Sequence, residues 1–210
     1  MSSLDELFEE FKTFLPKYLT PSQKEELFKA LSAYPNLPYH YLPPSAIKEE
    51  LLQGDDWRGF VLINFATLER KSVSGVILSN SCDIDARNRR STPRSVLFAP
   101  LVPLRKYEEA MREGGLTSEQ IANALLDIRA QRVTYIFSLP SEQNGPQESL
   151  ILLDDIHPEP LSYFLANERT LLFRLSMAAF YILLIKLSIH FCRSQENIQR
   201  FPTPQNTSTA

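Results

Sequence analysis

Short apolar runs separated by polar loops limit what the middle of this 210-residue chain can fold into. Between Gly54 and Pro103 there are three such runs, over 59–65, 76–84 and 95–101. Each is short for a helix but long enough for a strand, and Val, Ile, Leu and Phe dominate them. The loops between them are rich in charged and turn-forming residues. We therefore predict that this part of the chain forms a β-sheet.

A helical pattern interrupts the strand-like runs at 104–132. Thr117 begins a helix after two glycines, with the apolar side chains of Ile121, Leu125 and Ile128 on one face. Strand signals resume at 133–139 and continue, after an Asn-Gly turn, over 148–157. We expect Pro158 and Pro160 to end the last run. The pattern as a whole predicts an α+β fold with a sheet of five to six strands.

Helices are also predicted before and after the strand-like region of the sequence. Residues 1–44 read as two amphipathic helices and a proline-rich linker. The first helix carries an apolar stripe that needs a partner surface, either within this chain or on another protein. The stripe residues that we expect to bind a partner are Leu7, Phe8, Phe11 and Phe14.

The segment 161–193 is predicted to be one long closing helix that is apolar nearly all round. Arg174 and Lys186 interrupt it, so its uncharged stretch is about half of the ~20 residues that a bilayer span needs. We therefore predict a buried helix and no membrane segment. The tail, 201–210, has too little apolar content to pack and is predicted to be disordered.

Composition gives few functional clues. The formal net charge is −3, which gives no global reason to expect nucleic acid as a partner. The two cysteines, Cys82 and Cys192, are far apart and form no metal-binding spacing. The cysteine spacing, together with a polar, acidic N-terminus in place of a secretory signal, indicates a reducing, cytoplasmic location. We expect no metal and no cofactor.

Four segments, in this order, carry a family resemblance. Gly54-Asp55 precedes an apolar strand, and 76–80 is an apolar strand that ends in Ser-Asn. A proline-led strand follows at 92–101, and 149–156 reads Ser-Leu-Ile-Leu-Leu-Asp-Asp-Ile. Together these segments resemble MazF/PemK toxins. The resemblance implies a small SH3-like β-barrel, which would span 45–200 here, and endoribonuclease chemistry.

The resemblance also points to positions where the chemistry differs. The family has an arginine before a proline just ahead of the second strand, and it stabilises charge on the scissile phosphate. The matching positions here are Ser74 and Gly75, and serine cannot supply a charged, bidentate donor. The family's second catalytic position, a Thr or Ser at the start of the next strand, matches Ser95. Arg70 and Lys71, predicted in the preceding loop, are the candidate replacement cations.

Two loops offer other candidate residues. The basic cluster could contact phosphates or simply be solvated; its arginines are Arg87, Arg89, Arg90 and Arg94. The loop that carries Asn80, Cys82 and Asp83 could form a structural turn, contact a ligand or, least favoured, hold a nucleophilic thiol. The pair Asp154-Asp155 is not expected to form a joint site, because adjacent strand residues point to opposite faces.

Two functions of different class follow from the resemblance. The first is a non-catalytic MazF-like subunit of a prokaryotic defence or stress system, which binds a regulatory or antitoxin-like protein. Holding a sigma-factor-like protein would be one example. The alternative is a metal-independent endoribonuclease of toxin–antitoxin type that cuts single-stranded RNA with Ser95 and a replacement cation. A homodimer is compatible with either function.

Overall fold

The computed structural model describes residues 20–34, 36–43, 50–85, 87–88, 91–143 and 145–192. These residues form an α+β fold, as predicted, with one antiparallel sheet and several helices. The strands are β1 (Asp56–Ile63), β2 (Arg70–Ile77), β3 (Ser95–Pro103), β4 (Ile136–Leu139), β5 (Ser149–Leu152), β6 (His157–Pro160) and β7 (Thr170–Phe173). The helices are α1 (Pro21–Ser32), α2 (Ser81–Ile84), α3 (Leu104–Glu113), α4 (Ser118–Arg129), α5 (Leu161–Ala166) and α6 (Met177–Cys192).

The sheet is ordered β4-β5-β3-β2-β1-β7, and β6 pairs with the first part of β3. It curves strongly enough that β6 approaches β1. There the backbone N–H of Val61 donates a 2.8 Å hydrogen bond to the buried Glu159 carboxylate of β6. No backbone ladder joins these two strands in the described residues. The sheet is therefore curved, but it is not a closed barrel.

Two apolar clusters cover the two faces of the curved sheet. Inside the curve, Phe60 stacks between Phe98 and Phe164, with ring centroids 4.1 and 4.4 Å apart. On the other face, α6 packs against strand residues that include Val76 and Phe173. All five of these side chains are buried. Because each face is covered, the sheet has a core on both sides.

A buried ion pair fixes the start of β1 to the segment between β7 and α6. The guanidinium of Arg174 donates two hydrogen bonds to the Asp55 carboxylate, at 2.8 and 2.6 Å, and one to the Glu50 carbonyl. Asp55 is 1 % exposed. Burial raises the pKa of Asp55, and the hydrogen bonds from Arg174 oppose that change. The aspartate of the Gly-Asp pair therefore has a structural role.

The helical segment predicted over 104–132 is present as two helices, α3 and α4, and the predicted helix start at Thr117 is confirmed by a capping box with Gln120. Two other predicted boundaries were wrong. Within the predicted run 148–157, the strand β5 ends at Leu152. Pro158 and Pro160 do not end the sheet, because they belong to the next strand, β6, which begins at His157. The predicted closing helix 161–193 is three elements, α5, β7 and α6, because 170–173 pairs with β1.

The apolar helix α6 carries a buried lysine. The ammonium of Lys186 donates to the backbone carbonyls of Gln131 and Val133, just after α4. Burial lowers the pKa of Lys186 to about 8. Within the described residues, no helix is long and apolar enough to cross a membrane. The predicted N-terminal stripe and the tail 201–210 lie outside the described residues.

Candidate functional site

The two positions to which the sequence resemblance assigned catalytic roles lie in different strand pairings. Ser74 lies inside β2, directly opposite Arg58 of β1. Ser95 is the first residue of β3, as predicted, and lies opposite Pro160 of β6. In the pairing of β2 with β3, Gly75 lies opposite Pro100, which is five residues, or ~16 Å, along β3 from Ser95. They do not form a joint site through direct contact.

The predicted replacement cations are not beside either serine. Arg70 and Lys71 are the first two residues of β2, not part of the preceding loop, because they pair with Ile63 and Leu62. Arg70 is four residues from Ser74, or ~13 Å along the strand. Lys71 is three residues away and therefore points to the opposite face. Both cations pair with β1, whereas Ser95 pairs with β6.

Arg58 is a cation that the sequence reading missed. It lies opposite Ser74 on one side and opposite Thr170 of β7 on the other. Directly opposite residues of antiparallel strands have their side chains on the same face, about 5 Å apart at Cβ. The exposed Arg58 side chain makes no hydrogen bond or ion pair with a described residue. The available signal was an arginine directly before the apolar run at 59–65.

The described arginines of the basic loop are engaged within the loop. Arg87 makes a two-pronged contact with the Asp85 carboxylate, at 3.1 and 2.7 Å, which lowers the pKa of Asp85 to about 2. Arg94 donates to the backbone carbonyls of Asp85 and Asn88. These contacts use donors that the phosphate interpretation needs. Arg89 and Arg90 lie outside the described residues.

The loop after β2 forms the local turn that the sequence predicted. The Asn80 side chain caps α2 and accepts a 2.9 Å hydrogen bond from the backbone N–H of Cys82. The Asn88 amide donates to the Cys82 carbonyl. Cys82 is an exposed free cysteine, and Asp83 lies in the first turn of α2.

Asp154 and Asp155 follow the end of β5, with Asp154 in a turn and Asp155 just after it. The prediction that they are adjacent residues of a strand was therefore wrong. Asp154 is exposed, while Asp155 lies 2.7 Å from the Nε2 atom of His157. The two carboxylates therefore face different surroundings. No group of three metal-binding side chains occurs among the described residues.

A polar pocket of about 560 Å³ lies between β1 and the loop that joins α5 to β7. Its lining residues are Arg58, Gly59, Val61, Ser72, Tyr163, Asn167, Glu168, Arg169 and Thr170. Gly59 makes the close approach of this loop possible. It is the site of a β-bulge with φ +122°, and a Cβ there would lie 2.7 Å from the Glu168 carbonyl oxygen.

The loop side of the pocket is held by its own hydrogen bonds. The Asn167 amide donates to the Tyr163 carbonyl, and the Arg169 guanidinium donates to the Leu165 carbonyl, each at 2.7 Å. The same guanidinium lies over the rings of Trp57 and Phe164, at 5.9 and 5.7 Å. Arg169 is thus positioned by cation–π contacts as well as by a hydrogen bond.

The Asp56 carboxyl group has unfavourable surroundings for a charge in the described structure. It is fully buried, and neither carboxylate oxygen has a hydrogen-bond partner among the described residues. Burial raises its pKa well above the ordinary value, and the nearby Arg58 charge opposes that change. Asp56 shares a sheet face with Arg58, two residues away on the strand.

No protein-family model matches this chain, and comparison with curated proteins also gives no match.

Proposed function

We propose that this chain is a non-catalytic, MazF-like binding subunit that holds a regulatory or antitoxin-like protein partner in a bacterial stress or defence system. The observation that carries the proposal is the chemistry of the two matched positions. Both are serines, they lie in different strand pairings, and the predicted replacement cations are not beside them. A nuclease that loses its phosphate-binding cation loses transition-state stabilisation worth several kcal/mol.

The curvature of the sheet supports a MazF-type frame. In this proposal, β1, β2, β3 and β6 correspond to the family's SH3-like barrel, and Glu159 bridges the gap between β6 and β1. The gap is narrow enough for one carboxylate to satisfy the Val61 N–H. A frame kept without its catalytic cation is expected of a toxin-type domain that has become a binding module.

The tip of the β1–β2 hairpin supports protein binding. Phe65 and Leu68 are 87 % and 73 % exposed, and Ile63 beside them is 43 % exposed. Large apolar side chains clustered at one exposed tip are typical of an interaction surface. The N-terminal stripe remains a second predicted surface. The two free cysteines suit action in the reducing cytoplasm.

Expression in a bacterial host tests the proposal. The wild-type chain is expected to leave growth unchanged, as are Ser95→Ala and the control Arg105→Ala on α3. Growth arrest that Ser95→Ala relieves, and that Arg105→Ala does not, would contradict the proposal. Co-expression with the products of neighbouring genes is expected to yield a complex that Phe65→Ser weakens.

One observation favours the alternative function. Arg58 extends from the position opposite Ser74 and could supply the cation that Ser74 lacks. In that case the chain would be a metal-independent endoribonuclease, and Arg58→Ala would remove its activity. Arg58 lies opposite Ser74 and Thr170, whereas Ser95 lies opposite Pro160 of β6, so no strand pairing brings Arg58 and Ser95 together, and this is the second candidate.

A further inference from the structure

We propose that the side chain of Gln131 closes the outer edge of β4 and thereby prevents β4 from pairing with β4 of a second copy of this chain. The contact acts as an internal substitute for a neighbouring strand. This inference goes beyond the proposed function, because it requires neither a foreign protein partner nor RNA.

The strand β4 lies at one end of the sheet. It pairs with β5 on one side, and the order of the described strands places none on its other side. The outer edge of such a strand presents N–H and C=O groups with which another chain can pair. All four residues of β4 are nevertheless buried. Parts of the chain other than a strand therefore cover this edge.

The Gln131 side chain contacts Ser138 as a strand residue would. The Ser138 N–H donates a 3.1 Å hydrogen bond to Gln131 Oε1, and Gln131 Nε2 donates a 2.6 Å hydrogen bond to the Ser138 carbonyl. Two residues of adjacent antiparallel strands exchange the same two hydrogen bonds when they form a hydrogen-bonded pair. The carboxamide therefore takes the place of a residue on a neighbouring strand.

The edge is also closed on each side of Ser138. The Ile136 N–H, which points to the same edge as the Ser138 N–H, donates to the Val133 carbonyl. The Tyr41 hydroxyl donates a 2.7 Å hydrogen bond to the Pro140 carbonyl, just after β4. Ser138 lies between these two contacts, so the Gln131 carboxamide completes the closure at the middle of the edge.

The backbone of Gln131 is fixed in an unusual conformation. Its φ is +58°, which is uncommon for a residue other than glycine. The Gln131 N–H donates to the Ile128 carbonyl, and the Gln131 carbonyl accepts a hydrogen bond from the Lys186 ammonium of α6. A costly conformation persists where its surroundings impose it, and it is frequent at positions with a specific role. Here it holds the carboxamide beside β4.

An opened β4 edge is suited to a second copy of the chain. Antiparallel pairing about a two-fold axis at Ser138 would let the two Ser138 residues exchange the hydrogen bonds that each now makes with Gln131. Exposed apolar surface lies beside the edge. Tyr34, which lines a pocket together with Ser138, is 38 % exposed, and Tyr135, directly before β4, is 40 % exposed. Association along this edge would cover part of that surface.

Gln131→Gly tests the closure, because it removes the carboxamide and tolerates the positive φ. In analytical ultracentrifugation, the variant is expected to shift toward a dimer as its concentration rises, beyond any association of the wild-type chain. At low concentration, the Ser138 amide of the variant is expected to exchange its hydrogen about 10-fold faster or more, as measured by NMR.

Three further variants separate the edge from other causes of association. Arg132→Gly, which changes the next residue and breaks an exposed ion pair with Asp127, is the matched control and is expected to sediment as the wild type. Gln131→Asn keeps a carboxamide that is one methylene shorter, so it is expected to associate as Gln131→Gly does. Adding Ser138→Pro to Gln131→Gly removes the outward N–H, at an edge position that tolerates proline, and is expected to restore wild-type sedimentation. Thermal melts verify that each variant is folded.

Two results would overturn the proposal. The first is that folded Gln131→Gly and Gln131→Asn associate no more than the wild-type chain at any concentration, whatever the exchange rate at Ser138. The second is added association that persists when Ser138→Pro is combined with Gln131→Gly, because the dimer would then not depend on the β4 edge.

Discussion

Two adjacent aspartates at the start of β1 show how differently a buried carboxylate can be accommodated. Asp55 receives two hydrogen bonds from Arg174, whereas Asp56 has no partner among the described residues. They point to opposite faces of the strand start, so one reaches the arginine that follows β7 and the other does not. Sequence reading identified the Gly-Asp pair as a motif, but it gave no sign that Arg174, 119 residues further on, was its partner.

Asp55→Asn is expected to destabilise the fold by about 3–5 kcal/mol, because it removes the buried carboxylate that accepts two hydrogen bonds from the Arg174 guanidinium. Urea unfolding measures the change. The matched control is Asp127→Asn, which breaks an exposed Asp–Arg pair with Arg132 and is expected to cost less than about 1 kcal/mol. Equal losses in the two variants would show that the buried pair contributes no more than a surface pair.

Asp56 is expected to make stability depend on pH. Its folded-state pKa is raised, so its contribution is fully present below the unfolded pKa near 3.8 and is lost as pH rises through the folded pKa. The loss is about 1.4 kcal/mol for each unit by which the pKa is raised. Asp56→Asn is therefore expected to flatten the decline of unfolding free energy with rising pH. An identical decline in wild type and variant would contradict this.

At the scale of elements, the sequence predicted the helices and strands whose own residues show a capping motif or an apolar pattern. Thr117 and Gln120 form the expected capping box of α4, and the apolar run at 59–65 lies largely within β1. The strand β7 was hidden within a long apolar segment, where a short strand and a helix have the same composition. Its pairing with the edge of β1 decides the conformation. β6 was missed because its two prolines suggested an end to the sheet, yet an outer strand tolerates them.

The bulge in β1 is expected to depend on Gly59. A Cβ at this residue would meet the Glu168 carbonyl at 2.7 Å, and its φ of +122° disfavours any side chain. Gly59→Ala is expected to cost about 2–4 kcal/mol and to speed hydrogen exchange at 168–170. Gly115 also has a positive φ, but a Cβ there would meet no atom of the described structure within 4 Å, so Gly115→Ala is the control for backbone strain alone. Equal costs would contradict a role for the loop contact.

At the scale of the whole molecule, the sequence predicted the α+β class but not the composition of the pocket. Arg58, Ser72 and Thr170 come from three separate strands, and only the pairing of β1 with β2 and β7 brings them together. Such long-range placement leaves no periodic signal in a single chain. The same pairing places Arg58, and not Arg70 or Lys71, beside Ser74.

The most direct test of the proposed function is an RNA cleavage assay with the purified chain in EDTA. A long single-stranded RNA is expected to remain intact with the wild-type chain, with Ser95→Ala and with Arg58→Ala, because Ser74 provides no cation and the strand pairings place neither Arg70 nor Lys71 opposite Ser95. Cleavage by the wild-type chain that Ser95→Ala and Arg58→Ala both abolish would contradict the proposal and establish the nuclease alternative.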